Sequence, residues 1–185
     1  PLIPVAPAVG WGLWRLARRP ALAIGVTVGL VVAMLRPPSP GWPPDDVLVV
    51  ACDVGQGDGF VIPTDPGEAI VVDVGEEPAP IDRCLTDLGI RRIALLLFTH
   101  ADADHVAGWR GAVRGRTVEV LAYGPSGGPD VPAGRRVRLQ AGNYVTVGPV
   151  RLEVLWPQAA TGADNDLSVV VRAHVRGRRI LLTGD

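Results

Sequence analysis

The chain has 185 residues, 48% of them apolar and 20% charged, with a formal net charge of −1. That length allows one domain with a buried core plus an appendage, and the near-neutral charge excludes a protein that coats nucleic acid non-specifically. Two cysteines, Cys52 and Cys84, exclude a disulfide framework and are expected as small buried thiols.

The charge is unevenly spread. All 19 acidic residues lie at or after Asp45, where they face 14 arginines; before it stand only Arg15, Arg18, Arg19 and Arg36. The first element, Pro20 to Leu35, is 16 residues without a charge, bounded by Arg18-Arg19 and Arg36. Snorkelling arginines extend such a stretch towards the roughly 17–25 residues that span a bilayer, so residues 1–36 are expected to be a membrane segment. A signal sequence or a buried helix are the competing readings. Gly25 and Gly29 offer a close-packing face for other membrane helices of the same protein. Three arginines before the span against one after it put the following chain outside the cytoplasm. Residues 37–46 are a Pro-rich spacer. Because it opens on Pro1 and closes on Asp185 directly after an apolar strand, the chain is expected to be a piece of a longer protein.

From Val47 on, short apolar runs alternate with Gly and Pro. "VLVVACD", "FVIP", "AIVVDVG", "IALLLFTH", "TVEVLAYG", "RVRLQ", "VRLEVLWP", "LSVVVRAHV" and "RRILLTGD" predict strands. Ile81, Leu85 and Leu88 predict a helix over Pro80 to Leu88, and a second is expected to begin near Asp104 and pass through Trp109. Residues 47–185 therefore form an α/β domain with sheets buried on both faces.

The runs share a way of stopping. They end at Asp53, Asp73, His100 and Asp185, and "THADADHVAGW" follows His100 with Asp102, Asp104 and His105. Four acidic or imidazole groups brought together repel in low dielectric, and a cation is their natural counter-charge. A polar turn explains any one of them; for Asp53 a turn or cap is the favoured reading, and Asp104 is also a candidate helix N-cap.

His100-Ala-Asp102-Ala-Asp104-His105 resembles the H-x-H-x-D-H signature of the metallo-β-lactamase fold, with Asp102 where a second histidine normally stands. Thr99 and Gly108 match as well. "DVGQGDG", "VVDVG", "NDLSVVV" and "RRILLTGD" narrow the likeness to the C-terminal domain of ComEC-type competence proteins, polytopic membrane proteins through which transforming DNA enters bacteria. The resemblance covers Val47 to Asp185. It implies an αββα sandwich, truncated at its C-terminus and preceded by a transmembrane helix, that cuts incoming or single-stranded DNA outside the cell membrane. In that family a further histidine follows the position of Asp185, so the fragment is expected to be inactive. His174 shares a strand face with Val170, Arg172 and Arg176 and reads as a surface residue rather than a substitute; Asn165 and Asp166 stand near another ligand position of the fold.

His100, Asp102, Asp104, His105 and Asp185 are the expected ligands of two divalent ions that clamp a phosphodiester. So oxygen-rich a set favours Mn²⁺ or Mg²⁺, with Zn²⁺ open. Asp104 and Asp58 are the candidate catalytic carboxylates. Asp73, Gln56 and Asp53 are expected to support the ligands from behind. Arginines at 114–116, 135–138 and 176–179 are candidate phosphate contacts, though a solvated face is the commoner outcome. Competing functions are a membrane-anchored metallohydrolase acting on another substrate, and a non-catalytic DNA-guiding module.

Overall fold

The computed structural model describes Trp11 and residues 20–35, 43–44, 46–158, 162 and 165–185. Arg18, Arg19, Arg36 and most of the Pro-rich spacer lie outside the described residues. The chain divides into two compact units, Pro1–Trp42 and Pro43–Asp185. Helix α1 (Pro20–Leu35) belongs to the first. It is apolar on all sides and exposes Leu22, Ile24, Val28, Leu30 and Met34. Its 16 residues rise about 24 Å, against about 30 Å of bilayer hydrocarbon. Among the described residues no helix is long and apolar enough to cross a membrane.

The second unit is built on a six-stranded sheet in the order β1 (Val50–Ala51), β2 (Phe60–Asp65), β3 (Glu68–Val72), β4 (Arg92–Phe98), β5 (Thr117–Tyr123), β6 (Arg135–Arg138). β1, β2 and β3 pair antiparallel; β3 to β6 pair parallel. Helix α2 (Pro78–Asp87) makes the crossover from β3 to β4, beginning at a proline and burying Ile81 and Leu85. Both faces of β4 are covered, so six of its seven residues are buried and no alternation shows in its sequence. Parallel pairing has a functional consequence: β3 and β4 run the same way, so Asp73 and His100 emerge at the same end of the sheet.

The second sheet is antiparallel throughout, in the order β10 (Arg178–Leu182), β9 (Val170–Val175), β8 (Val150–Trp156), β7 (Tyr144–Val147). Strand β7 is absent from the sequence reading, because four residues with a Tyr and a Thr give too short an apolar run. β8 and β9 alternate strictly, their inward residues Leu152, Val154, Val171 and Ala173 packing on Ile70, Leu95 and Leu97 of the first sheet. The outer face carries Arg151, Arg172, His174 and the 57%-exposed Leu181. Among the described residues no helix covers it. The layers are therefore α-β-β, not the full αββα sandwich expected.

Two further expectations change. The helix expected through Trp109 is two single turns, α3 (Ala103–Val106) and α4 (Trp109–Ala112), parted at Gly108. A Cβ on Gly108 would lie 2.4 Å from the carbonyl oxygen of Val74, and its N–H donates to the Gly75 carbonyl at 2.9 Å. The break lets the strand-end loop reach the chain between the turns. The cysteines are not free thiols: Cys52 and Cys84 form a disulfide with Cα atoms 5.8 Å apart. It joins the chain just after β1 to helix α2, two neighbours brought side by side by the sheet although 32 positions apart.

Candidate metal centre

Five chain segments meet at one end of the first sheet. Asp73 follows β3 with φ at 55°, a left-handed conformation that Asp tolerates better than most side chains. Its carboxylate is 1% exposed. One oxygen, Oδ1, accepts the Thr99 N–H at 2.9 Å. The other, Oδ2, accepts the Thr99 hydroxyl at 2.6 Å and faces His105 Nδ1 at 3.1 Å. Thr99 Oγ1 in turn lies 3.0 Å from His100 Nδ1.

These contacts assign the proton on both rings. Thr99 gives its only hydroxyl hydrogen to Asp73, so it accepts from His100 Nδ1–H; Asp73 accepts from His105 Nδ1–H. Both Nε2 lone pairs are left pointing away from Asp73. Both Nε2 atoms are buried and without a hydrogen-bond partner. The ring centroids are 4.1 Å apart. Asp185 Oδ1 stands 3.3 Å from His105 Nε2, and Asp102 Oδ2 3.5 Å from His100 Nε2.

His100, His105 and Asp185 present ligand atoms all within 4.8 Å of one another, and so do Asp58, Asp73 and His105. Buried nitrogen lone pairs with no donor cost about 1–3 kcal/mol each, and a cation between them and the carboxylates removes that cost. The donors present fit a divalent ion. Burial works to lower the pKa of His105, but the Asp73 hydrogen bond and the charges of Asp73, Asp185 and Asp104 outweigh it and raise it. Asp73 is raised by its burial, against the opposing pull of its hydrogen bonds to His105 and Thr99.

The other expected residues divide. Asp102, not Asp104, occupies the N-cap position of α3, and it makes no side-chain cap bond. Asp104, in the first turn, has Oδ1 4.0 Å from His105 Nε2 and accepts from Gln56 Nε2 at 3.4 Å. Gln56 and Asp58 lie on the loop 53–59, which approaches so closely that a Cβ on Gly57 would stand 1.9 Å from the Asp104 carbonyl oxygen. Asp53, on the same loop, is exposed and belongs to neither ligand group. His174 lies on the outer face of β9, 3.6 Å from Glu153. Asn165 and Asp166 are exposed in a short 3-10 turn, Asn165–Leu167. Arg116 is no phosphate contact: its side chain is 5% exposed and bound to Asp82 and to the Ile90 carbonyl. Thr99 was legible only as a matching letter, and Ser168, 1% exposed beside it, was not read as a site residue.

The sequence profile of the Metallo-beta-lactamase superfamily matches residues 52–185. The chain belongs to that superfamily.

Its hydrolase fold binds divalent metals, typically zinc. Solved structures with this metallo-beta-lactamase fold agree. A metallo-beta-lactamase from Cronobacter sakazakii is 18% identical over 72% of this chain and 60% of its own, with a TM-score of 0.52. BJP-1, a subclass B3 metallo-beta-lactamase of Bradyrhizobium japonicum, is 22% identical over 72% and 57%, with a TM-score of 0.51. The metallo-beta-lactamase fold protein YhfI from Bacillus subtilis is 14% identical over 74% and 62%, at 0.51. The chain thus spans about three fifths of the length of these structures. Comparison with curated protein sequences finds no match.

Proposed function

We propose that this metallo-beta-lactamase domain is a metal-dependent phosphodiesterase, the nuclease of a ComEC-type DNA-uptake protein, acting outside the cell membrane. The observation that carries the reading is the donor set: two buried imidazoles whose free Nε2 atoms face Asp185, with Asp102 3.5 Å from His100 where the fold usually has another imidazole. Oxygen-rich sites suit Mn²⁺ or Mg²⁺, the ions that commonly handle phosphates. His100, His105, Asp102, Asp104 and Asp185 would hold them. Bound ions would supply neutralisation of phosphate charge and a more acidic water.

The chain's own residues do the rest. Asp73 and Thr99 hold both rings in the tautomer that leaves Nε2 free. Gln56 orients Asp104, which together with Asp58 is placed to take the proton from attacking water as it adds to phosphorus and the P–O bond to the leaving alcohol breaks. The buried disulfide between Cys52 and Cys84 supports an oxidising, extracytoplasmic setting. The uniformly apolar α1 supports attachment to the membrane through the segment that contains it, beside other helices of the same protein.

The test is hydrolysis of end-labelled single-stranded DNA by the full-length protein with Mn²⁺, Mg²⁺, Zn²⁺ or EDTA, beside His100→Ala and Asp185→Ala. Cleavage that needs metal and disappears in both variants is the expected result. A folded, metal-loaded protein that leaves DNA intact with every ion would overturn the nuclease and favour another substrate or DNA guidance.

A further inference from the structure

Four buried side-chain polar atoms among the described residues lack a hydrogen-bond partner: His100 Nε2, His105 Nε2, Ser126 Oγ and Ser168 Oγ. The first two are candidate ligands. Ser126 is only half-buried and its hydroxyl can turn towards water. Ser168 is 1% exposed, so its hydroxyl has no such escape. An unmade hydrogen bond there costs about 1–3 kcal/mol, and native proteins keep few of them without a use.

Its position suggests the use. The neighbouring Val169 N–H donates to the Thr99 carbonyl at 2.8 Å, which pins this loop to the residue before His100. Gly184 closes in from the other side. A Cβ there would lie 3.3 Å from Ser168 Cβ and 3.0 Å from Thr99 Cβ, so only glycine, at φ +61°, lets these three segments meet. Ser168 is thereby wedged between the residues that immediately precede His100 and Asp185. Asn165 and Asp166, polar residues of the same loop, are exposed. The Asn165 carbonyl accepts from Ser168 N–H and the Asp166 carbonyl accepts from Trp156 Nε1.

We infer that Ser168 is an oxygen ligand of the metal centre, supplied by the loop before β9 and completing the set formed by His100, His105 and Asp185. The inference rests on the metal-site reading above. A neutral hydroxyl adds a hard donor without adding charge to a cluster that already holds several carboxylates, and it shifts preference further towards hard ions.

Cobalt(II) binding to this chain tests it without reference to activity. Ser168→Cys places a thiol where the hydroxyl stands, and a thiolate bound to Co²⁺ gives an intense near-ultraviolet charge-transfer absorption that an unbound one does not. The expected result is that absorption in Ser168→Cys, none in the wild type, and Co²⁺ affinity weakened by about 10-fold in Ser168→Ala, with far-ultraviolet circular dichroism unchanged. Normal Co²⁺ affinity in Ser168→Ala, together with no charge-transfer band in a cobalt-loaded Ser168→Cys, would overturn the inference and leave the metal site standing. Failure of the wild type to bind Co²⁺, or equal binding by His100→Ala, would instead remove the metal reading on which it rests.

Discussion

Asp73 carries more of the site than any ligand does, although its own oxygens are spent on holding others. It accepts from the Thr99 amide, the Thr99 hydroxyl and His105. Asp73→Ala would leave these three donors buried and unpaired, at about 1–3 kcal/mol each. It should therefore lower unfolding free energy by about 3 kcal/mol or more in urea titrations of the metal-free chain and weaken metal binding as well. Asp73→Asn should be intermediate, since one amide oxygen remains. Thr99→Val isolates the His100 limb of the relay: the amide bond to Asp73 survives, the hydroxyl is lost, and isothermal titration should show weaker Mn²⁺ binding with a smaller stability loss. The pH dependence follows from His105, whose pKa is raised in the metal-free fold. The stabilisation that its protonated ring contributes is complete below its ordinary value of 6.5 and is lost as pH rises through the folded value. Metal needs the neutral ring. Hence the urea midpoint in EDTA should fall as pH rises through that window, and with excess Mn²⁺ it should rise; parallel curves would refute the ligand role of His105.

At the scale of elements, the site depends on backbone approach that only glycine permits. Gly57, at φ +79°, brings the loop 53–59 against Asp104, and its Cβ would collide with that residue's carbonyl oxygen at 1.9 Å. Gly57→Ala should push Gln56 and Asp58 off the cluster. Its expected signature is a marked loss of metal affinity at little cost to the sheets, read as a preserved circular dichroism spectrum beside a failed titration. Gly111 meets the Pro78 carbonyl still more closely, at 1.8 Å, but its contact holds α4 against α2. Gly111→Ala should therefore cost stability first. Loop and helix glycines thus separate function from folding in one experiment.

The whole second unit is tied by the disulfide between Cys52 and Cys84. Closing a loop of about 30 residues stabilises by about 3–4 kcal/mol in the chain-entropy account. Reduction, or Cys52→Ser with Cys84→Ser, should lower the thermal midpoint of the oxidised chain by several degrees and loosen the base of the loop that carries Asp58. An unchanged midpoint after full reduction would show that the sheets alone hold this end. The second sheet's outer face is stabilised more modestly, by pairs such as Arg172 with Glu153 at 2.7 Å. That contact holds the Glu153 carboxyl below its ordinary pKa, so its contribution is lost only on acidification.

The sequence by itself determined the strands and the candidate ligands. Long apolar runs need burial wherever they lie, and an acid or histidine at the end of each is a local fact. Alternation between neighbours put His100 beside Asp102, and helix spacing buried Ile81 and Leu85. What only the tertiary structure decided are meetings between distant segments: Asp73 with Thr99, Ser168 with Gly184, Cys52 with Cys84, and Arg116 with Asp82. Parallel pairing of β3 with β4 aligns two strand ends that no spacing relates, and packing of the second sheet brings Ser168 and Asp185 to them. It also left Asp53, which ends a run just as Asp73 does, exposed at the edge. The ending of a strand is written in its own residues; which endings share a site depends on how the sheets pair and stack, a sum over contacts that no single stretch contains.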